Sequence, residues 1–206
     1  MKLQISFDLI DLKKSLKIAQ KVAEFADILE VGSILIYRYG IEAVKEFCKA
    51  FPNSTILADT KIVDHGREIV NLLEKNGPKW ITIMAGANKK IIQSACSAAH
   101  DANKKSVLDL LTTDFIGQSA MEAKILGVDS ILFHKVYTQD SALTFKDKWE
   151  MVKGNTSLPI FISAQIDENN IDNIIEFRPS GIVVGKAITE SDNPKKSAQF
   201  FKEKCI

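Results

Sequence analysis

The stretch LPIFISAQIDENNIDNIIEFRPSGIVVGK, residues 158–186, decides the fold. Read as strand, helix and strand, it gives LPIFIS (158–163), a helix over 168–177 and SGIVV (180–184). These are the weakest strand signals in the chain, and without them the pattern fits an open doubly wound sheet. Six similar runs precede them: LQISF (3–7), DILEV (27–31), TILAD (55–59), WITIM (80–84), SVLDL (106–110) and SILFH (130–134). Each is short, apolar and mostly β-branched. Helical periodicity fills the gaps. Leu12, Leu16, Ala19, Val22 and Ala23 mark one helix, and Ile41, Val44, Phe47 and Cys48 another, with Lys and Glu on the opposite faces. Further helices are predicted over 65–76, 88–103, 117–126, 140–152 and 193–204, with stops at Asn76-Gly77-Pro78 and Leu126-Gly127. With the last two strands counted, eight βα units follow one another without a linker. That count predicts a single-domain α/β (β/α)8 TIM barrel over residues 1–206.

Composition narrows the function classes. The 206 residues are 46% hydrophobic and 26% charged, and 27 basic against 26 acidic residues leave a net charge of +1. No field of one sign recruits nucleic acid or a membrane surface. No apolar run approaches the ~18 residues of a membrane span, and MKLQISFD has no signal-peptide h-region, so a cytoplasmic location is expected. Cys48, Cys96 and Cys205 are widely spaced and form no CxxC pair, which predicts reduced, structural thiols. His65 and His100 show no clear partner and receive no role.

A barrel of this kind builds its site from the C-terminal strand ends. Side chains alternate along a strand, so Gln4, Ser6 and Asp8 share the inner face while Leu3, Ile5 and Phe7 pack outward. The same parity turns Glu30 inward with Ile28, Asp59 inward with Leu57, and Lys61 inward again. Buried charges cost several kcal/mol each unless paired or metal-bound, so this convergence calls for a common purpose. Glu30 and Asp59 suit a hard cation such as Mg²⁺, which takes one or two carboxylates plus waters and substrate oxygens. Lys61, held between Asp8 or Asp59 and Asp64, stays protonated and can donate to a developing oxyanion. His134, across the mouth, can move a proton at a carbon flanking a carbonyl. Together they describe metal-assisted enediolate chemistry. Plainer readings stand beside these: Asp64 as a helix cap, His134 as a strand-end histidine bonded to backbone, and Asp109 as a loop or cap residue beside Thr112, Thr113 and Asp114. For a substrate phosphate, the loops after strands 7 and 8 offer Ser163 and Gln165 as donors, Gly185 for close backbone approach and Lys186 for charge.

LQISFDL, ILEVG with Glu30, and LADTKIVDHG (57–66) with its D-x-K-x-x-D pattern resemble the orotidine-phosphate decarboxylase suprafamily. Within it the chain is similar, over nearly its whole length, to the branch holding 3-hexulose-6-phosphate synthase and 3-keto-L-gulonate-6-phosphate decarboxylase. The resemblance implies Glu30 and Asp59 as Mg²⁺ ligands, Lys61 as enediolate stabiliser and Asp8 as its orienting partner. It implies His134 as proton carrier and Asp64 as a residue entering a neighbouring subunit's site, hence a homodimer with shared active sites. Asp109 falls on an acidic substrate-site position, and Gly185 and Lys186 on the phosphate grip. GSILIYRYG (32–40) and SVLDLLTTD (106–114) look more like the synthase, which condenses formaldehyde with ribulose 5-phosphate; the decarboxylase, which forms its enediolate by losing CO₂, is the alternative. His134-Lys135-Val136-Tyr137 matches neither branch, and Ala164-Gln165 stands where a glycine pair is usual. A barrel that binds a sugar phosphate without turnover is the reading from another class. The retained set of buried charges argues against it.

Overall fold

A computed structural model describes residues 1–74, 77–138 and 142–206. Eight parallel strands close into a barrel in sequence order: β1 (Lys2–Phe7), β2 (Ile28–Val31), β3 (Ile56–Ile62), β4 (Trp80–Met84), β5 (Lys105–Asp109), β6 (Ser130–His134), β7 (Ile160–Ser163) and β8 (Gly181–Val184). The deciding stretch does form strand, helix and strand. β8 pairs back onto β1, Leu3 opposite Ile182 and Ile5 opposite Val184, which removes the open-sheet alternative.

Around the barrel lie α1 (Leu12–Val22), α2 (Ser33–Tyr39), α3 (Ile41–Ala50), α4 (Gly66–Glu74), α5 (Lys89–Asp101), α6 (Ile116–Ala123), α7 (Ala142–Lys153), α8 (Ile171–Glu176), α9 (Lys186–Thr189) and α10 (Pro194–Lys204). Asp11 caps α1 by accepting from the Lys14 amide, Asn88 caps α5 and Asn193 caps α10, each satisfying an amide that has no intrahelical partner. The C-terminal end predicted for the 65–76 helix, its stop at Asn76 and the start predicted for the 140–152 helix fall outside the described residues. α2 and α9 are absent from the sequence-based expectation. Each is short, and α2 buries only Leu35 while exposing Ile34 and Tyr37, so it has no clear apolar stripe to read.

The alternation sorts apolar residues into two cores. Leu3, Ile5, Phe7 and their counterparts pack outward against the helices. Ile28, Leu57, Val107, Leu132, Phe161 and Val183 fill the barrel interior as a separate cluster, each of them buried and each contributing about 1.5–3 kcal/mol. Trp80 floors this cluster, its indole 5.9 Å from the Phe161 ring and edge-on to it, with Lys2 and Lys105 over the indole at 5.8 and 5.4 Å. Gly181 is required here: a Cβ at that position would meet the Phe161 ring at 2.5 Å.

The seam between the first and last elements is tied by Asp27, whose Oδ2 accepts from the Leu3 amide at 2.8 Å and from Lys202 Nζ at 2.7 Å. Burial alone would raise the Asp27 carboxyl, but Lys202 and the Leu3 amide outweigh it and hold it below the usual range. The three cysteines are free thiols, each pushed up to about 11 by burial, which keeps them protonated and unreactive. His100 does have a partner: its Nε2 lies 3.0 Å from Asp129 Oδ2, near the N-terminal ends of β5 and β6. Among the described residues no helix is long and apolar enough to cross a membrane.

Candidate active site

The C-terminal mouth of the barrel opens into a cavity of about 960 Å³, lined by Asp8, Glu30, Asp59, Lys61, His134, Ser163, Gln165, Gly185 and Lys186. Of the residues singled out in the sequence, Asp64 and Asp109 are not on its wall. Asp64 lies beyond β3 with a largely exposed side chain, accepting from the amide of His65 and 3.6 Å from its ring. Asp109 is fully buried behind the wall.

Glu30 and Asp59 end inner faces of adjacent strands. Glu30 pairs in register with Leu57, so its Cα is level with the residue preceding Asp59 by two. Glu30 accepts from Gln4 Nε2 at 2.6 Å, and burial together with the charges of Asp59 and Asp8 pushes its carboxyl up to about 8. Burial also raises Asp59, against the pull of Lys61 and of the Thr82 hydroxyl that donates to its Oδ1 at 2.8 Å. Two buried carboxylates with too little positive charge around them form an all-oxygen set that suits a hard divalent cation. Among the described residues no three His, Cys, Asp or Glu side chains close into a ready-made ligand cage, so such an ion would complete its shell with water or substrate oxygens.

Lys61 reaches the cavity by an unexpected route. The β3–β4 register shifts between Ala58 and Ile62, and Lys61 takes φ 45°, a left-handed conformation rare outside glycine. Thr82 secures it: its Oγ1 accepts from the Lys61 amide at 2.9 Å while donating to Asp59. The ammonium then lies 3.0 Å from Asp59 Oδ2 and 3.2 Å from Asp109 Oδ2. Burial would lower Lys61, but the two carboxylates outweigh it and hold the ammonium above its ordinary value. Its partners are therefore Asp59 and Asp109, not Asp8 or Asp64.

Asp109 is neither a helix cap nor a residue open to substrate. Its Oδ2 receives Lys61 and also faces His134 Nδ1 at 3.2 Å, and its Oδ1 accepts from the Leu111 amide at 2.9 Å. Burial would raise its carboxyl, yet His134, Lys61 and that amide hold it below the usual range. The Asp109 contact fixes the His134 ring through Nδ1, and in the tautomer that donates from Nδ1 to this carboxylate the lone pair lies on Nε2. Asp8 instead accepts from the Ser6 hydroxyl at 2.9 Å and lies 3.5 Å from the Ile34 amide at the start of α2. Gly32 permits this approach, since a Cβ there would come within 2.2 Å of Asp8 Oδ1.

On the opposite wall, Ser163 ends β7, and Gln165 takes φ 52° without a glycine. Gly185 and Lys186 start α9 at the end of β8. The sequence reading missed Thr82 as a site residue, although its position between Trp80 and Met84 on the inner parity of β4 marks it. Lys135, Asp167 and Glu190, which also line the cavity, had no such signal.

Fold and site together define a (β/α)8 enzyme-type barrel whose C-terminal mouth gathers acidic, ammonium and imidazole groups. A family model described as the Orotidine 5'-phosphate decarboxylase / HUMPS family matches residues 1–201, and the chain belongs to that family. It is 26% identical over 208 residues to a protein named 3-hexulose-6-phosphate synthase from Bacillus subtilis (strain 168), covering 100% of this chain and 99% of that one. The crystal structure of 3-hexulose-6-phosphate synthase from Salmonella typhimurium superposes with a TM-score of 0.89 at 27% identity, covering 99% and 98% of the two chains. That of 3-keto-L-gulonate-6-phosphate decarboxylase from Vibrio cholerae O1 biovar El Tor str. N16961 gives 0.83 at 23% identity, over 98% and 96%, a likeness of fold.

Proposed function

We propose that the protein is a Mg²⁺-dependent 3-hexulose-6-phosphate synthase, a carbon–carbon lyase joining formaldehyde to D-ribulose 5-phosphate through an enediolate. The observation that carries this reading is the shared Asp109 carboxylate, which fixes an ammonium and an imidazole at one end of the same cavity. The full-length relatives bearing the synthase name support it.

His134 Nε2 takes the proton from C1 of the ketose, and Asp109 stabilises the imidazolium that results. Lys61, permanently protonated between its two carboxylates, donates to the oxygen on which negative charge develops. The enediolate carbon then bonds to the carbon of formaldehyde, and the new alkoxide takes up a proton. Glu30 and Asp59 would hold Mg²⁺, which when bound supplies Lewis-acid polarisation of the substrate oxygens and relieves the repulsion between the carboxylates. Ser163, Gln165, Gly185 and Lys186 bind the phosphate. Asp64 and its exposed neighbour Val63 lie outside their own cavity, which supports a homodimer in which Asp64 serves the partner's site. A cytoplasmic setting accords with the three free thiols.

The test is direct. Protein with Mg²⁺ should consume formaldehyde only when D-ribulose 5-phosphate is present, and EDTA should stop it. CO₂ release from a keto-gulonate phosphate without formaldehyde consumption would instead establish the decarboxylase.

A further inference from the structure

The segment after β6 carries a cation that the chemistry above does not use. Lys135 lines the cavity, partly buried, and makes no ion pair among the described residues. Its backbone is fixed. The Lys135 amide donates to Ser163 O at 3.0 Å and the Tyr137 amide to Ala164 O at 3.4 Å, which carries the β6–β7 pairing past the strand ends. Tyr137 is turned out of the cavity and packs edge-on against Phe145 at 5.1 Å, within a cluster that includes Phe133, Trp149 and Phe177. An aromatic anchor thus holds a short loop whose Lys135 and Val136 face the cavity.

Topology places this lysine across the mouth from Glu30 and Asp59, beside β7 and one strand further from β8, whose ends bring Gln165 and Lys186 to the same cavity. Asp167, which also lines the cavity, forms no ion pair with it and is held in its own turn, accepting from the Asn169 and Asn170 amides at 2.9 and 3.1 Å. An ammonium without an ion-pair partner among the described residues, lining the same cavity as Lys186, suits a doubly charged anion.

Resting on the synthase reading, we propose that Lys135 is a substrate-binding residue which closes the β6 side of the phosphate subsite, so that the sugar phosphate is gripped from three consecutive strand ends. Lysine suits this place as a mobile point charge on a phosphate dianion.

The experiment compares wild type, K135A and K135R by calorimetric titration with D-ribulose 5-phosphate in the absence of formaldehyde, with inorganic phosphate as a second probe and thermal melting as a check on folding. Loss of one charge-assisted contact should weaken sugar-phosphate binding about tenfold in K135A and leave K135R near wild type. In turnover, KM should rise by a similar factor with kcat nearly unchanged. Unchanged affinity in a folded K135A overturns the proposal, as does a fall in kcat with KM intact, which would place the lysine at the reacting carbons. The synthase reading fails separately: formaldehyde would not be consumed while the loss of binding in K135A persisted.

Discussion

The two ends of the barrel are built from the same strands and do opposite things. At the floor, Leu57, Val107, Leu132 and Ile28 close over Trp80 and Phe161, and the nearby lysines lie on the outside of the indole rather than in the interior. Two residues further along those strands stand Asp59, Asp109, His134 and Glu30. One step of strand periodicity separates side chains that stabilise by leaving water from side chains whose charge is costly to bury. Stability and chemistry are layered along the barrel axis, so a substitution at one level should leave the other largely intact.

Removing a charge from the upper layer tests this most severely. Asp59→Ala should lower kcat/KM for the formaldehyde reaction by at least about 10³-fold, equivalent to ~4 kcal/mol of transition-state stabilisation. Urea unfolding should shift by no more than about 1 kcal/mol, because Lys61 keeps Asp109 and water enters the mouth. Full activity in this variant would remove Asp59 from the mechanism. The lower layer should respond in reverse: Phe161→Ala empties the floor and should cost about 3–5 kcal/mol in denaturant melts, with kcat close to wild type in whatever fraction remains folded. A selective loss of kcat there would show that the layers are coupled.

A smaller effect sharpens the contrast at the seam, where an ion pair serves stability alone. The Asp27 carboxyl is lowered in the folded protein, so its contribution is present above the unfolded value near 4 and disappears as pH falls through the folded one. Both side chains are about a third exposed, 31% for Lys202 and 34% for Asp27, so solvent screening limits the contribution to less than about 1 kcal/mol. Lys202→Met should therefore be slightly less stable than wild type in urea melts at pH 7, with the difference shrinking towards pH 3. A difference that grew in acid would contradict the assignment.

The layering explains what could be read from sequence. Period-two alternation exposes Glu30 and Asp59 as inward charges and His134 as a strand-end group, because parity is a local property. Lys61 also follows the alternation on paper, yet it arrives through a register shift and a left-handed residue that no propensity marks. Asp109 resembles a turn residue because Leu-Leu-Thr-Thr-Asp follows it, and it does accept from Leu111. Its larger role depends on partners 48 residues back and 25 ahead in the chain. Such pairing becomes visible only when β3, β5 and β6 are assembled. The Gln165 conformation was hidden for the converse reason: the backbone turns as a glycine would, without one.

The backbone at Lys61 has a consequence for how this protein can change. A side chain at φ 45° costs on the order of 1–3 kcal/mol, and glycine is the residue that would relieve it. Glycine would also delete the ammonium between Asp59 and Asp109. If Lys61 acts as proposed, no single substitution at this position improves both folding and turnover, so selection for thermal robustness and selection for activity pull in opposite directions here, and a stabilised lineage gathers its gains at other positions.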